Sequence, residues 1–368
     1  MNIKKVIEND FEEKLYISKI DEVLNYLHTF SSATFFEIVR IVGGSERRML
    51  RLLDEMVSDG AIYFKNNRFY LNTISNYKSY LCPICNGKRV YTNEYDVSQL
   101  EEVFNNKPVP TLLFDQRPVT LETTINRVLY MLSNNDVNNK NIVFLGDDDL
   151  TSLALAFYDK SISITVLDVD KRLIDYINKM SKKYELNIEA YTFDVTDTLK
   201  DEFRGKFDVV MTDPTPEALP FTIFMNTCIN LLKKEGIIYT SIYSSAMEKD
   251  ITLQRIITDM NLYITDIIPN FTEYQSLKGL FSKSDLELLK KYNITINYKS
   301  ICFTESLFRM IKSRDTHTIK VSYKLEDIYG KAQKRAIKDK KNDLVTSDYL
   351  TSVYDIYNIK DDKIRISE

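Results

Sequence analysis

The stretch with the clearest chemical content is an apolar strand that ends in one glycine and three consecutive carboxylates. Residues 141–149 read NIVFLGDDD, so Gly146 is followed by Asp147, Asp148 and Asp149; residues 146–149 are called the GDDD loop below. One aspartate suffices to cap a helix and complement its dipole, an effect worth roughly 0.3–1 kcal/mol. Three adjacent carboxylates repel one another and raise one another's pKa. Beyond capping, two kinds of ligand explain such a loop, namely a divalent metal ion and an organic cation.

Acidic residues also follow the next three segments that have the composition of strands. They are Asp168 and Asp170 in VLDVD, Asp194 in YTFDV, and Asp213 and Glu217 in MTDPTPE. The carboxyl ends of parallel strands meet at one edge of a sheet, which is where doubly wound proteins bind their ligands. We therefore expect these side chains to lie close to the GDDD loop.

The spacing of Asp168 indicates a nucleoside site. Asp168 comes 22 residues after Gly146, the separation at which an acid accepts hydrogen bonds from a ribose in nucleoside-binding βαβ units. The alternative is an N-cap for the helix that follows. Asp194 is a candidate partner for an adenine amino group, with a loop turn as the alternative. Together with Gly146 and Asp170, these residues form the expected cofactor-binding set.

The negative charge of the GDDD loop distinguishes between two sulfonium compounds. Intact S-adenosylmethionine carries a carboxylate, which glycine amides and a helix N-terminus hold well and which an acidic loop opposes. Decarboxylated S-adenosylmethionine ends in an ammonium group instead, so the loop would attract it, as it would attract a polyamine. We therefore expect a cationic co-substrate rather than a tightly bound cofactor or a metal.

Alternating strands and helices predict the fold class. Apolar strand-like runs separated by helical stretches over about 120–270 indicate a doubly wound parallel sheet, an α/β, Rossmann-like fold. We assign residues 119–312 to this catalytic domain. Residues 77–118 are a connector in which CPIC, with Cys82 and Cys85, is either half of a zinc site or, as we favour, a stiff turn. Residues 313–368 are a charged extension.

The first 76 residues are expected to form a winged-helix-like domain. Two amphipathic segments precede SERRMLRLLDEMVSDG, in which Ser45 is the expected N-cap, and AIYFKNNRFYL reads as two short strands around a polar turn. Such a module either reads DNA through Arg47, Arg48 and Arg51 or serves as a scaffold for packing or dimerisation.

Composition limits the class of partner and the compartment. The net charge of −4 gives no reason to expect general affinity for nucleic acid. No apolar run has the length of a membrane span or the form of a signal peptide, and four cysteines do not make a disulfide framework. We expect a cytoplasmic protein that does not engage a membrane.

Three stretches resemble a known family. GDDDLTSLALA, VLDVDKRLIDYI and FDVVMTDPTPE are similar to the branched-chain polyamine synthases, the bis(aminopropyl)spermidine synthase family, and the likeness covers most of 80–310, including CPICNG and the pair Asp115-Gln116. Two elements depart from the family pattern. Thr215 and Pro216 separate Asp213-Pro214 from Glu217 where the family has Asp-Pro-Pro-Glu, and Asp194-Val195-Thr196 replaces an Asp-Leu-Arg-like element.

The resemblance implies an activity and roles for the acids. The family is related in fold to spermidine synthases, so the resemblance implies a Rossmann-like fold of the class I methyltransferase type. Family enzymes transfer aminopropyl groups from decarboxylated S-adenosylmethionine to spermidine, releasing methylthioadenosine. On this basis Asp147, Asp148, Asp149 and Asp213 are the expected catalytic residues, and Asp115, Gln116 and Glu217 the expected acceptor-binding residues. Asp355, Asp361 and Asp362 in the tail form either an acidic lid or a solvated segment. The family likeness also suggests a homodimer.

Two other functions remain open at this point. An S-adenosylmethionine-dependent methyltransferase would use Asp168 and Asp194 in the same way. A winged-helix DNA-binding regulator would use the sheet domain to sense a cationic metabolite.

Overall fold

The computed structural model of the chain describes residues 10–72, 88, 90, 98–111, 114–242, 247–275, 281–296 and 300–322. The CPIC turn with Cys82 and Cys85 lies outside these residues, as do Asp355, Asp361 and Asp362 in the tail, so the expectations about them stay predictions. Among the described helices, none combines the length and the apolar character needed to cross a bilayer.

The described residues form ten α-helices and nine strands. The helices are α1 Asp10–Phe30, α2 Phe35–Val42, α3 Glu46–Ser58, α4 Ser98–Asn105, α5 Leu121–Ser133, α6 Thr151–Tyr158, α7 Lys171–Tyr184, α8 Ala218–Leu231, α9 Met247–Asp259 and α10 Lys283–Lys291. The strands are β1 Ile62–Lys65, β2 Arg68–Leu71, β3 Asn141–Leu145, β4 Ser163–Asp168, β5 Ile188–Thr192, β6 Phe207–Thr212, β7 Leu232–Ile242, β8 Leu262–Gln275 and β9 Ile301–Lys312.

Seven strands form the main sheet, in the order β5-β4-β3-β6-β7-β9-β8. The first five are parallel, as the sequence predicted. The crossovers from β3 to β4, from β4 to β5 and from β6 to β7 contain α6, α7 and α8, whereas the connection from β5 to β6 contains only a short 3-10 helix, Asp201–Phe203. The expectation of a wholly parallel sheet needs one correction, since β9 runs antiparallel to both β7 and β8. The reason is that α10, between β8 and β9, packs elsewhere instead of crossing the sheet.

Both faces of the sheet are covered by helices. Along β3, Ile142 and Phe144 join a core cluster with α5, α6 and α7, whereas Val143 and Leu145 join a second cluster with α8 and α9. This alternation is the period of two that a strand imposes on its side chains. The α/β architecture expected from the sequence is therefore present.

The N-terminal unit consists of α1, α2 and α3 followed by the antiparallel pair β1 and β2. Ser45 accepts a hydrogen bond from the amide of Arg48 and caps α3, as expected. Asn66 and Asn67 both have positive φ, which suits the two-residue turn of a hairpin. The unit's core also contains side chains from the segment between β8 and β9, including Phe281, Leu289 and Tyr292.

Close backbone contact fixes this unit against the sheet. Gly43 has φ +74°, and a Cβ at this position would lie 2.1 Å from Asn270 Oδ1. Asn270 Nδ2 donates to the carbonyl of Ile41 (2.8 Å), and Thr304 Oγ1 donates to Asn270 Oδ1 (3.0 Å). Only glycine fits here, because the position combines a left-handed conformation with a close approach.

Candidate active site

A cavity of about 470 Å³ lies at the carboxyl ends of β3 to β6. Carboxylates dominate the charged residues of the described lining: Glu46, Asp115, Asp148, Asp149, Asp168, Asp213, Glu217 and Glu305. Two arginines, Arg47 and Arg117, also belong to the lining. Eight acids against two bases leave a formal charge of −6 if all of them are ionised. The expected clustering of acids at this edge of the sheet is present for these residues.

Asp147 faces away from the cavity. Its carboxylate accepts hydrogen bonds from the amide of Thr151 (2.8 Å) and from the amide and hydroxyl of Ser152, so it caps the first turn of α6. The left-handed conformations of Gly146 and Leu150 form the turn that brings Asp147 to this position. Burial raises the pKa of Asp147 to about 8. Asp147 is absent from the described cavity lining.

Asp148 faces the cavity with an unused acceptor. Its Oδ2 atom is buried and has no hydrogen-bond partner among the described residues. Burial, followed by the negative charge of Asp149, raises the pKa of Asp148 well above its usual range, and the nearby Lys107 opposes this rise. Lys107 Nζ donates to the backbone carbonyl of Asp148 (2.6 Å), so it supports the loop without covering Oδ2. Such a carboxylate is suited to receive a ligand's N–H group.

Asp149 and Asp213 are bridged by a buried arginine that the sequence reasoning missed. Arg127 on α5 donates to Asp149 Oδ2 (2.7 Å) and to Asp213 Oδ2, and its side chain is 2% exposed. The amide of Val119 also donates to Asp149 Oδ1 (3.2 Å). The neighbouring carboxylates raise the pKa of Arg127 and outweigh its burial. The bridge joins the ends of β3 and β6.

Asp168 and Asp170 have different surroundings. Asp168 lines the cavity and accepts from the amides of Asp147 (3.0 Å) and Asp170 (2.7 Å). Its burial raises its pKa to about 6. Asp170 is the N-cap of α7, through the amide of Arg172 (3.0 Å), and it is absent from the described lining. The capping alternative therefore applies to Asp170, and Gln116 Nε2 holds its other oxygen (3.2 Å).

The end of β5 presents apolar rather than acidic surface. Phe193 and Val195 line the cavity, whereas Asp194 between them is absent from the described lining. Asp194 accepts a hydrogen bond from the amide of Thr196 (2.8 Å), which is the loop turn considered as its alternative role.

The expected acceptor residues all lie in the lining, and one of them is held by a residue at which the chain departs from the family pattern. Asp115, Gln116 and Glu217 border the cavity. Thr215 Oγ1 donates to Asp115 Oδ2 (2.8 Å), and Asp115 adopts a left-handed conformation with φ +54°. Thr215 therefore links the loop after β6 to the loop before α5.

Two further lining residues come from the antiparallel strands. Tyr274 on β8 and Glu305 on β9 meet Asp213: the Tyr274 hydroxyl lies 2.7 Å from Asp213 Oδ2 and 2.9 Å from Glu305 Oε2. No local pattern in the sequence points to either residue, because each reaches the site through long-range strand pairing. Arg127 left a weak signal, a charged residue within the apolar pattern of LETTINRVLYML.

Two of the three arginines that were candidates for DNA reading form ion pairs within the chain. Arg47 and Arg51 both pair with the buried carboxylate of Asp285 on α10, each at 2.8 Å.

Within the described part of the chain, no group of three or more His, Cys, Asp or Glu residues has an arrangement that could hold a metal ion.

Comparison with known proteins identifies relatives of most of the chain. A family model of the branched-chain polyamine synthase A C-terminal domain matches residues 96–335. The N(4)-bis(aminopropyl)spermidine synthase of Thermococcus kodakarensis is 33% identical over 74% of this chain and 83% of its own length. An uncharacterised protein of Methanocaldococcus jannaschii is 32% identical over 60% of this chain and 57% of its own length, so the chain spans little more than half of that relative.

One solved structure resembles the fold over most of its length. It is a C9 mutein of the branched-chain polyamine synthase from Thermus thermophilus, in complex with N4-aminopropylspermidine and 5′-methylthioadenosine. The match has a TM-score of 0.61 and 20% identity, and it covers 84% of this chain and 92% of the other.

Proposed function

Because the chain belongs to the branched-chain polyamine synthase family, we propose that it transfers an aminopropyl group from decarboxylated S-adenosylmethionine to a polyamine, with spermidine as the first candidate, and releases methylthioadenosine. The observation that carries this proposal is the charge of the cavity, where eight carboxylates meet two arginines among the described lining residues. The relative of known structure binds an aminopropylated spermidine and methylthioadenosine.

The donor half of the cavity suits an adenosyl group. Asp168 retains acceptor capacity for ribose hydroxyls, since each of its oxygens receives a single amide hydrogen bond. Phe193 and Val195 offer apolar contacts for an adenine ring. In this proposal Gly146 brings the backbone close to the ligand, whereas Asp170 and Asp194 shape the surrounding turns.

Asp148 is the best-placed base for the acceptor. An aliphatic amine, whose ammonium form has a pKa of about 10, is protonated at neutral pH and must lose a proton before it can attack. The unpartnered Oδ2 of Asp148 can receive that proton, and its raised pKa narrows the gap to the amine. Asp149 and Asp213, held by Arg127, present fixed negative charge to the flanking ammonium groups.

The transfer itself is a displacement at carbon. The lone pair of the neutral amine forms a bond to the methylene group next to the sulfonium, and the C–S bond breaks with its electron pair going to sulfur. The protein's main contribution is to align the two reactants, which is worth several kcal/mol in well-oriented systems. The carboxylates of Asp115 and Glu217 would hold the remote end of the acceptor.

A comparison of the two cofactors tests the proposal. The purified protein is incubated with spermidine and either decarboxylated or intact S-adenosylmethionine, and the products are identified by mass spectrometry. We expect aminopropylated spermidine and methylthioadenosine with the decarboxylated compound only. Methylated product with the intact compound, without aminopropyl transfer from the other, would establish the methyltransferase alternative instead.

We further propose that the N-terminal unit is a winged helix that serves as a scaffold. The succession of three helices and a hairpin supports this assignment. Pairing of Arg47 and Arg51 with Asp285 argues against DNA reading, because both side chains already have an acidic partner within the chain. Ser45, Glu46 and Arg47 instead contribute to the cavity lining.

A further inference from the structure

Glu305 and Tyr274 form an unusual contact with Asp213. A single phenolic hydroxyl lies within hydrogen-bond distance of two carboxylates, Asp213 Oδ2 at 2.7 Å and Glu305 Oε2 at 2.9 Å. A phenol has one hydrogen, so it can donate to only one of them. The other oxygen pair needs a hydrogen from the carboxyl side, because two oxygens at 2.9 Å without a hydrogen between them repel each other.

The surroundings decide which of the two carboxylates carries that hydrogen. Burial raises the pKa of Asp213, but the guanidinium of Arg127 and the phenol both stabilise its ionised form and oppose this rise. Glu305 is buried, at 5% exposure, on strand β9. The charged and titratable groups that influence Glu305 are Tyr274 on β8, Asp213 at the end of β6, Arg127 on α5 and Arg117 in the loop before α5.

We propose that Glu305 is neutral in the ligand-free protein, donating its hydrogen to the Tyr274 hydroxyl, and that it releases this proton when an ammonium group of the acceptor binds beside it. The O–H bond of Glu305 breaks and the proton passes to solvent, while the new carboxylate is balanced by the bound ammonium. The second half of this inference rests on the proposed polyamine acceptor; the first half does not.

The direction of the pKa of Glu305 agrees with this arrangement. Burial, followed by the charge of Asp213, raises the pKa of Glu305 well above its usual range, and the charges of Arg127 and Arg117 lower it only in part. An acceptor cation would oppose the rise in the same way as the arginines. Glu305 is thus an acceptor-binding residue whose affinity for ammonium depends on pH.

A pH series of binding measurements tests the release. At pH values below the pKa of Glu305, the Kd of spermidine should fall as the pH rises. The fall should be about tenfold per pH unit steeper in the wild type than in Glu305→Gln, because the wild type releases one more proton per acceptor bound. Glu305→Gln, which keeps the neutral shape, should bind more weakly wherever wild-type Glu305 can ionise. Calorimetry in buffers of different ionisation enthalpy should count one more released proton for the wild type.

Infrared difference spectroscopy tests the ligand-free state directly. The wild-type minus Glu305→Gln spectrum at pH 7 should contain the band of a protonated carboxylic acid, whereas the wild-type minus Glu287→Gln spectrum should not, since Glu287 is exposed on α10. Absence of the band, or equal proton counts in wild type and Glu305→Gln, overturns this inference. If the wild type neither binds spermidine nor transfers aminopropyl groups, the proposed function fails, and the infrared band still decides the state of Glu305.

Discussion

At the scale of single residues, the three aspartates of the GDDD loop differ in what their carboxylates already contact. Asp147 is occupied by amides of α6, and Asp149 by Arg127 and the amide of Val119. Asp148 alone among the three has a buried oxygen without a partner in the described residues. The chemistry of the loop therefore depends on the local turn, which gives each identical side chain a different task.

Substitution of Asp148 tests its role as the base. We expect Asp148→Asn to lower kcat on the order of 10²–10⁴-fold with decarboxylated S-adenosylmethionine and spermidine, because an amide cannot accept the proton. Asp201→Asn, at a fully exposed side chain, serves as the control and should retain wild-type rates. An unchanged kcat in Asp148→Asn would transfer the role of base to Asp149 or Asp213.

Arg127 gives a second expectation at this scale. Removing one partner of a buried ion pair leaves uncompensated charge and typically costs about 3–5 kcal/mol. Arg127→Met should lower the free energy of unfolding by this amount in urea titrations, since it exposes Asp149 and Asp213 to each other. Lys171→Met breaks the exposed pair with Asp175 and should cost no more than about 0.5 kcal/mol. Equal losses in both variants would contradict the assignment.

The sequence allowed prediction of those site residues whose position depends on a single βα unit. Gly146 and Asp168 follow from strand ends and spacing, and both lie where they were expected. Arg127, Lys107, Tyr274 and Glu305 could not be predicted, because they lie on α5, in the loop after α4, on β8 and on β9, and their place in the site depends on tertiary packing. The division between Asp168 in the cavity and Asp170 at the N-cap likewise requires the backbone path after β4, which spacing does not determine.

At the scale of elements, the β8–β9 pair is where the sequence was least informative. The alternating pattern of the sequence ends near residue 270, within β8, and the direction of β9 depends on the connection between the two strands. The residues of that connection, including α10, join the core of the N-terminal unit. Asp285 joins the two parts, since it accepts a hydrogen bond from the amide of Ser282, the N-cap of α10, and pairs with Arg47 and Arg51 on α3.

Asp285 therefore provides an expectation for the α3–α10 contact. We expect Asp285→Asn to reduce the free energy of unfolding by about 1–3 kcal/mol, because it weakens two charge-assisted contacts and a helix cap at a buried site. Glu287→Gln on the same helix is exposed and should stay within about 0.5 kcal/mol of the wild type. If Asp285→Asn left the free energy of unfolding unchanged, packing alone would hold the two helices together.

The cap of α6 makes stability depend on pH. The pKa of Asp147 is raised by burial from 3.8 to about 8, so its contribution to stability is fully present below about pH 4 and is lost as the pH rises through about 8. The unfolding free energy of the wild type, relative to Asp147→Asn, should decrease across this window. A difference that stays constant with pH would show that Asp147 keeps one charge state in both the folded and the unfolded chain.

At the scale of the whole molecule, the distribution of charge matters more than its total. The chain carries a net charge of only −4, while the described lining of one cavity holds a formal −6. Composition alone gives no indication of this concentration, because basic residues elsewhere balance it. The parallel part of the sheet contributes five of the eight acids by bringing the ends of β3, β4 and β6 to one edge.

This concentration should favour decarboxylated over intact S-adenosylmethionine. We expect at least about tenfold tighter binding of the decarboxylated compound at low ionic strength, since a carboxylate beside the GDDD loop costs free energy. The ratio of the two dissociation constants, measured by calorimetry, should shrink as NaCl is added and screens the charges. Equal affinities at low salt would contradict the electrostatic argument.

The cavity draws most of its proposed donor and acceptor contacts from different stretches of the sequence. The donor contacts Gly146, Asp168, Phe193 and Val195 lie between residues 146 and 195, and Asp148 and Asp149 of the GDDD loop lie within the same interval. The other proposed acceptor residues, Asp115, Glu217 and Glu305, lie outside it. Mutations that reshape the acceptor end can therefore accumulate while the nucleoside end stays constant. Natural variation in this fold has a route to new polyamine products that leaves recognition of the alkyl donor intact.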